Sequence, residues 1–325
     1  MKLKLWGTRG SLPRALSPDA LHTLIASTID VARTQGVKTL DQLATYIDQQ
    51  HLKKTDYFGG NTSSYEVSHG DQSVFVDMGT GIVEACHQPL MDLRKEIMIF
   101  QTHMHWDHIM GLPFFLPVYD PDVKIVIHHV HKNAPEHIRI LFNGINFPLK
   151  WDQLGANVEF REMKLYQPLT VGEMQVTPFA LDHPGGSFGY RFDSSKGSVA
   201  IGVDGEYKRT LPEELGKDLA AYENLDCLVF DGQYEMDELA SRCDWGHSSP
   251  IIGIDLALRQ GIRNIILTHH DPRSSEEKSN RMLEDAKKHC AVQLPHYRNI
   301  WDQRGQPDGP NIYTAYDGMV FDLNG

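Results

Sequence analysis

An apolar run, Ile97-Met98-Ile99-Phe100, leads through Gln101 and Thr102 straight into His103-Met104-His105-Trp106-Asp107-His108. Six residues thus offer three imidazoles and a carboxylate, groups suited to borderline cations such as zinc. A tight turn at a strand end can aim several of these side chains at one point, and two adjacent metals sharing the cluster explain why one short segment holds four potential ligands. A single histidine would read as an exposed polar residue. This spacing, directly after a strand, reads as chemistry. The fold must therefore bring strand ends to a common edge.

The rest of the chain supplies such strands. Short apolar runs at 2–6, 63–68, 73–77, 96–101, 123–128, 157–161, 174–180, 188–192, 198–203, 225–230 and 263–268 predict strands, with a further one near Tyr316–Leu323. Helical patterns fall at 80–93, 107–116, 134–142, 211–221, 248–260 and 275–289. Ser248-Ser249-Pro250 offers a hydroxyl cap and a proline near the first turn of the fifth helix, and Gly261 stands just past its end. Many strands with interspersed helices predict two sheets covered by helices, an α/β sandwich. We expect one domain over residues 1–325. Within it, residues 14–56 read as an inserted helical hairpin, because Leu21, Leu24, Ile25 and Ile29, then Leu40, Leu43, Ala44 and Ile47, recur at helical spacing around Gly36. It is either a packing ornament with its apolar stripe on the core or a lid or dimer arm.

Composition narrows the partners. The 325 residues bury a large core without staples, and the four cysteines form no C-x-x-C pair, which fits a reducing compartment. Met1–Trp6 reads as a first strand rather than a leader, and no apolar run reaches membrane-span length, so a cytoplasmic protein without membrane contact is expected. A net charge of −12 disfavours long nucleic acid as a partner. Of the 17 histidines, His128, His129 and His131 follow a strand and are expected in a solvated turn, with lining of the pocket as the alternative.

The His-x-His-x-Asp-His segment resembles the signature of the metallo-β-lactamase superfamily, whose fold is an αββα sandwich. Further positions follow in the family's order. His183 lies in Ala180-Leu181-Asp182-His183-Pro184, Asp204 in Ile201-Gly202-Val203-Asp204-Gly205, and His269 in Ile265-Ile266-Leu267-Thr268-His269. The resemblance implies that His103, His105 and His183 hold one metal and that Asp107, His108 and His269 hold a second, with Asp204 bridging. His270 adjoins His269 and is the alternative ligand. Two zinc ions are the implied cofactors, with manganese or iron as alternatives. Asp77, at the glycine-rich turn Asp77-Met78-Gly79-Thr80-Gly81, is either a support for ligand imidazoles or an Asx-turn residue.

Trp245-Gly246-His247-Ser248-Ser249 resembles the Gly-His-Ser motif of the phosphodiesterase branch, which includes ribonuclease Z-like and cyclic-nucleotide phosphodiesterase-like enzymes. There His247 would protonate a leaving alkoxide as general acid, with Asp107 as the other catalytic residue and Glu206 as a candidate to orient His247. Lys4–Pro13 and Tyr57–Ser64 resemble small-molecule phosphodiesterases of bacteria. Their glycines either let backbone approach the metals or form a purely structural turn. The long Gly/Pro-rich arm through which ribonuclease Z binds tRNA has no counterpart here. The implied activity is therefore metal-dependent hydrolysis of a small phosphodiester such as a cyclic nucleotide, with a homodimer as the candidate assembly. The alternatives are a lactonase or thioesterase, a tRNA 3′-processing nuclease, and a binding module that retains the fold without catalysis.

Overall fold

The computed structural model describes residues 1–50, 57–88 and 95–323. In chain order, β1 (Lys2–Gly7), β2 (Ser64–His69), β3 (Gln72–Val76), β4 (Glu96–Gln101), β5 (Lys124–His129) and β6 (Asn157–Glu162) build one sheet. A second sheet follows from β7 (Leu169–Val171), β8 (Met174–Leu181), β9 (Ser187–Ser194), β10 (Gly197–Gly202), β11 (Cys227–Asp231), β12 (Asn264–Thr268) and β13 (Asn311–Thr314). Strand β14 (Met319–Asp322) then returns to pair with β1. Strands β3 to β6 are mutually parallel, as are β10 to β13, so each set carries its carboxyl ends to one edge. Strand β8 runs antiparallel to β9 and β9 to β10, which points β8 the same way as β10.

The helices are α1 (Pro18–Thr34), α2 (Leu40–Gln50), α3 (Gly81–Ala85), α4 (Ala134–Arg139), α5 (Pro212–Leu215), α6 (Met236–Leu239), α7 (Pro250–Gln260), α8 (Glu276–Gln293) and α9 (Arg298–Gln303), and α3, α4, α5, α7, α8 and α9 pack on the outer faces. Strand alternation explains the layering. Val74, Val76 and Phe100 of the first sheet meet Val199, Ile201, Val229 and Ile266 of the second in a shared inner core. Their neighbours Phe75, Ile97, Ile99 and Ile127 face outward onto Ile82, Leu112 and Ile138, while Leu228, Phe230 and Ile265 face Ile254, Leu258 and Ala286. Strands buried on both faces need continuous apolar runs, which is why these segments lack polar alternation. The arrangement is the αββα sandwich expected.

Several local expectations are corrected. Residues 107–116 are not one helix but 3-10 turns at Trp106–His108 and Leu112–Phe114, followed by another at Leu116–Tyr119. Pro113 and Pro117 withhold donors there, and the backbone is instead tied to Met78, whose N–H bonds His108 O at 2.8 Å while Gly111 N–H bonds Met78 O at 2.9 Å. The 211–221 helix breaks at Gly216, with φ of 55°. Residues 89–94 of the expected 80–93 helix lie outside the described residues. Helix α7 begins at Ser249 and Pro250 and ends at left-handed Gly261 as read, but the Ser249 hydroxyl makes no capping bond. Strands β7 and β13 were too short to leave a pattern in the sequence.

Between β1 and β2 stand the two helices of the expected hairpin, with residues 51–56 outside the described set. Part of its described apolar stripe is exposed to solvent, while Leu24, Ile29 and Leu43 are half-buried. Leu21, Ile25, Val31 and Leu40 are 46%, 53%, 44% and 83% exposed, and within α1 only Ala32 is buried. No helix among the described residues is long and apolar enough to cross a membrane. The cysteines Cys86, Cys227, Cys243 and Cys290 are free thiols.

Asp317 ties the two opening loops together. Its Oδ1 accepts from Thr8 N at 3.0 Å and Thr8 Oγ1 at 2.9 Å, and its Oδ2 accepts from Gly60 N and Asn61 N, both at 2.9 Å. The glycines of the 59–60 turn thus make room for this carboxylate and for the Arg14 carbonyl, not for the metal cluster. A Cβ on Gly59, whose φ is +105°, would lie 2.1 Å from Asp317 Cγ. Asp317→Ala strands several buried donors and is expected to lower stability by about 2–3 kcal/mol. Urea unfolding checks this, and an unchanged midpoint would show that the loops are held by other contacts.

Candidate metal centre

The carboxyl edges of the two sheets face each other, and the chemistry gathers there. Asp77 follows β3, His103 to His108 follow β4, and His183 follows β8. Asp204 follows β10, Asp231 ends β11, and His269 follows β12. Seven candidate ligands form two overlapping quartets. One is His103, His105, His183 and Asp204, the other Asp107, His108, Asp204 and His269, with ligand atoms in each within 4.8 Å of one another. His183 Nε2 lies 3.1 Å from His105 Nδ1, and His103 Nε2 lies 3.7 Å from Asp204 Oδ2. On the other side, His108 Nε2 and His269 Nε2 stand 3.2 and 3.0 Å from Asp204 Oδ1, and both approach Asp107 Oδ2, at 3.4 and 3.2 Å.

Of the two adjacent histidines, His269 enters the cluster and His270 leaves it. His270 Nε2 bonds Ala315 O at 3.0 Å and its ring packs on Phe58. Burial, and then the Arg9 charge, push the His270 imidazole down to about 3. His269 takes a left-handed backbone, φ 63°, as does Asp77 at 64°, a region that histidine and aspartate tolerate better than most residues.

The donor set fits metal cations. Both oxygens of Asp204 and the Nε2 atoms of His103 and His108 are buried without a hydrogen-bond partner. Leaving such groups bare costs several kcal/mol unless a cation meets them. Burial opposes ionisation of Asp204 and Asp107, yet the facing imidazoles hold both carboxyl groups well below the usual range. The set contains no thiolate, which suits a borderline metal on nitrogen and oxygen.

A second ring of contacts fixes the imidazoles. Asp77 Oδ2 lies 2.7 Å from His108 Nδ1, so it holds that imidazole in place as well as standing at the turn. Its Oδ1 accepts from Gln101 Nε2 and Thr102 N, both at 2.9 Å, and the Thr102 hydroxyl is 3.0 Å from His103 Nδ1. Ser11 N donates to Asp107 Oδ2 at 2.7 Å, which explains the use of the N-terminal Gly-Thr-Arg-Gly-Ser loop. Gly246 O takes the His183 Nδ1 hydrogen at 2.9 Å.

His247 lies beside the cluster, its ring stacked on His269 at 4.8 Å. Its Nδ1 is held by Asp231 Oδ2 at 2.8 Å. The expectation that Glu206 orients His247 is corrected, since Glu206 Oε1 accepts from Gly246 N at 2.9 Å and its other oxygen pairs with Lys208. Asp231 lies one residue beyond the strand expected at 225–230 and ends β11 in the structure, so it carries no role among the sequence-based expectations. The signal was present, for Asp231-Gly232 after an apolar run repeats the pattern of Asp204-Gly205. His128 and His129 are buried rather than solvated, His128 stacking on Phe100 at 4.8 Å, and His131 lines a cavity next to His103 and His105.

The profile of the beta-lactamase superfamily domain matches residues 72–270, and the chain belongs to that family. Ribonuclease Z of Archaeoglobus fulgidus is 23% identical over 273 residues, covering 70% of this chain and 87% of that protein. Among solved structures, the metallo-beta-lactamase fold protein YhfI from Bacillus subtilis aligns with a TM-score of 0.63 at 17% identity, covering 98% of both chains. A diphosphatase from the PhnP family aligns at 0.61 and 17%, covering 99% of this chain and 97% of its own. The first relative is a ribonuclease by name, so the expectation against long nucleic acid draws no support from it.

The cluster's packing yields a test. A Cβ on Gly246 would fall 1.9 Å from His183 Nδ1, and its φ of +90° disfavours any side chain. Gly185 also has positive φ, +80°, but open space around it. Gly246→Ala is expected to lower zinc affinity at least about tenfold, as is typical when the support of a ligand is disturbed, while Gly185→Ala changes it little. Metal content after dialysis against a graded chelator checks this, and equal retention in both variants would remove His183 from the centre.

Proposed function

We propose that the chain is a metal-dependent phosphodiester hydrolase with a binuclear centre. His103, His105 and His183 would hold one ion and Asp107, His108 and His269 the other, with Asp204 shared. Zinc is the first choice, with manganese or iron as alternatives. The observation that carries this reading is the pair of quartets joined at a buried carboxylate with both oxygens unpartnered. Divalent ions bound there would lower the pKa of water and stabilise negative charge in the transition state.

The chain's own residues supply the rest. Asp231 accepts from Nδ1 of His247, so in the doubly protonated ring Nε2 is the atom placed to give its proton to a leaving alkoxide, leaving the neutral ring with its remaining proton on Nδ1. That role matters for a poor leaving group such as an alkoxide and little for a thiolate or an activated phenolate, so the His247–Asp231 pair favours oxygen esters such as phosphodiesters over thioesters. Asp107 acts by holding the second ion, itself aligned by Ser11 N. A small phosphodiester, with cyclic nucleotides first among candidates, is the substrate we favour. The exposed His105 and half-buried His183 open the cluster to solvent on one side, beside a small-molecule-sized cavity. Ribonucleases among the relatives make a processed RNA end the second reading.

Two measurements test the proposal. Hydrolysis of 2′,3′- and 3′,5′-cyclic nucleotides, a tRNA precursor, a lactone and a thioester is compared in the zinc- and manganese-loaded protein. Chelator-sensitive cleavage of a phosphodiester is expected, and turnover of the lactone or thioester alone would overturn the reading. His247→Ala should retain both metals but lose about 100-fold or more in kcat on a cyclic nucleotide. Its loss on bis-p-nitrophenyl phosphate should be much smaller, and equal losses on both would deny it the acid's role. Asp107→Ala should lose activity together with one metal per chain, whereas full turnover with two metals would refute the ligand assignment.

A further inference from the structure

The cavity beside the metal cluster has a volume of about 520 Å³. That lies within the roughly 300–1,000 Å³ common for small-molecule sites. One wall is the 103–105 turn, so the cavity opens directly on two candidate ligands. The opposite wall is formed by His131, Lys132, Asn133 and His137, and the 184–186 loop closes the third side. In a chain of net charge −12, this lining includes a lysine and no carboxylate. The charge bias is therefore local and favours an anion.

The walls are also held in place. His131 Nε2 bonds Gly186 O at 2.9 Å, and its backbone O lies 2.8 Å from His129 Nδ1. Its ring meets Phe188 edge-on at 4.9 Å. Burial lowers the His131 pKa, which keeps its ring a neutral donor to that carbonyl. His131 is thus a positioning residue that latches the Lys132 segment to the loop following His183. The polar groups left to meet a ligand are those of Lys132, Asn133 and His137.

We infer that this cavity is a subsite for a second phosphate of the substrate, bound by Lys132 with Asn133 and His137 while the scissile phosphodiester lies at the metal cluster. The inference rests on the phosphodiester reading above and narrows it to substrates that carry a further phosphate on one side of the bond. A lysine ammonium suits this role as a compact charge with three donors, and Asn133 adds neutral donors beside it.

The test is calorimetric binding of adenosine 3′,5′-bisphosphate, adenosine 3′-monophosphate and adenosine 5′-monophosphate to the zinc-loaded protein. Wild type is expected to bind the bisphosphate at least about tenfold more tightly than either monophosphate, the scale of one charge-assisted hydrogen bond. Lys132→Ala should erase that preference and Lys132→Arg should keep it. Lys132 is exposed, so the fold tolerates its loss, and Lys196→Ala on the β9–β10 turn controls for general charge. Equal affinity for all three ligands in wild type, or a preference that survives Lys132→Ala, overturns the subsite. Turnover of bis-p-nitrophenyl phosphate by the same preparation reports separately on the phosphodiesterase reading, so failure of one does not masquerade as failure of the other.

Discussion

Asp204 is a carboxylate with no solvent exposure and no hydrogen-bond donor on either oxygen, set among imidazoles from three other strand ends. A bare carboxylate in such a place would be intolerable, so the surrounding structure must supply positive charge. Everything near the cluster follows from that requirement. His108 and His269 crowd one oxygen, and His103 faces the other. Burial resists protonation of His108, yet Asp204, Asp107 and Asp77 hold its pKa well above the ordinary imidazole value. The excess of acid around that ring is the electrostatic shape of a cation site described from the protein's side.

The imidazoles gain their aim from contacts that do no chemistry. Asp77 grips His108, while the Gln101 amide and Thr102 fasten Asp77 and the turn after β4. Gly246 lets the 245–247 segment press against the His183 ring, and Gly10 does the same against His269, where a Cβ would lie 2.4 Å from the ring. Ser11 reaches Asp107 only because Arg9 is buried between the Gly59 carbonyl and Glu276 of α8, at 2.8 and 2.7 Å. The N-terminal loop, the helix α8 and the metal cluster are thus mechanically one assembly. Pre-set imidazoles lose little freedom on binding a cation, which is the physical benefit of these outer contacts.

The centre divides into a closed half and an open half. Asp107, His108 and His269 are buried, whereas His105 is exposed and His183 only half-buried. Substrate access and the neighbouring cavity lie on the open side, while His247 and Asp231 stand on the closed side against His269. In the function proposed above, His247 would give its proton from a buried position and Lys132 would meet the anion from an exposed one. Helices α1 and α2 are not part of this arrangement; Leu21, Ile25, Val31 and Leu40 are exposed there, while Ala32 is buried.

Much of this was legible in the sequence. The apolar runs gave nearly every strand, because strands buried on both faces must be continuously apolar, and the His-x-His-x-Asp-His turn identified the cluster because ligand spacing is local. His183, Asp204 and His269 follow from the resemblance to the metallo-β-lactamase superfamily, and each stands just after such a run. Other features depended on contacts between distant segments. His269 and His270 are neighbours of which the sequence favours the first, and the route of the chain past Ala315 and Phe58 is what takes His270 out of the cluster. Asp231, rather than Glu206, meets His247 because the β11–β12 pairing sets Asp231 opposite Thr268, next to the His269 ring on which His247 stacks, an arrangement that no local pattern encodes. The 107–116 segment carried helical periodicity, yet Met78 claimed its backbone groups across the sheet edge. Local chemistry and periodicity were set by the sequence itself, whereas the choice among equivalent partners was made by tertiary structure, because a hydrogen bond goes to the group that the fold brings within about 3 Å.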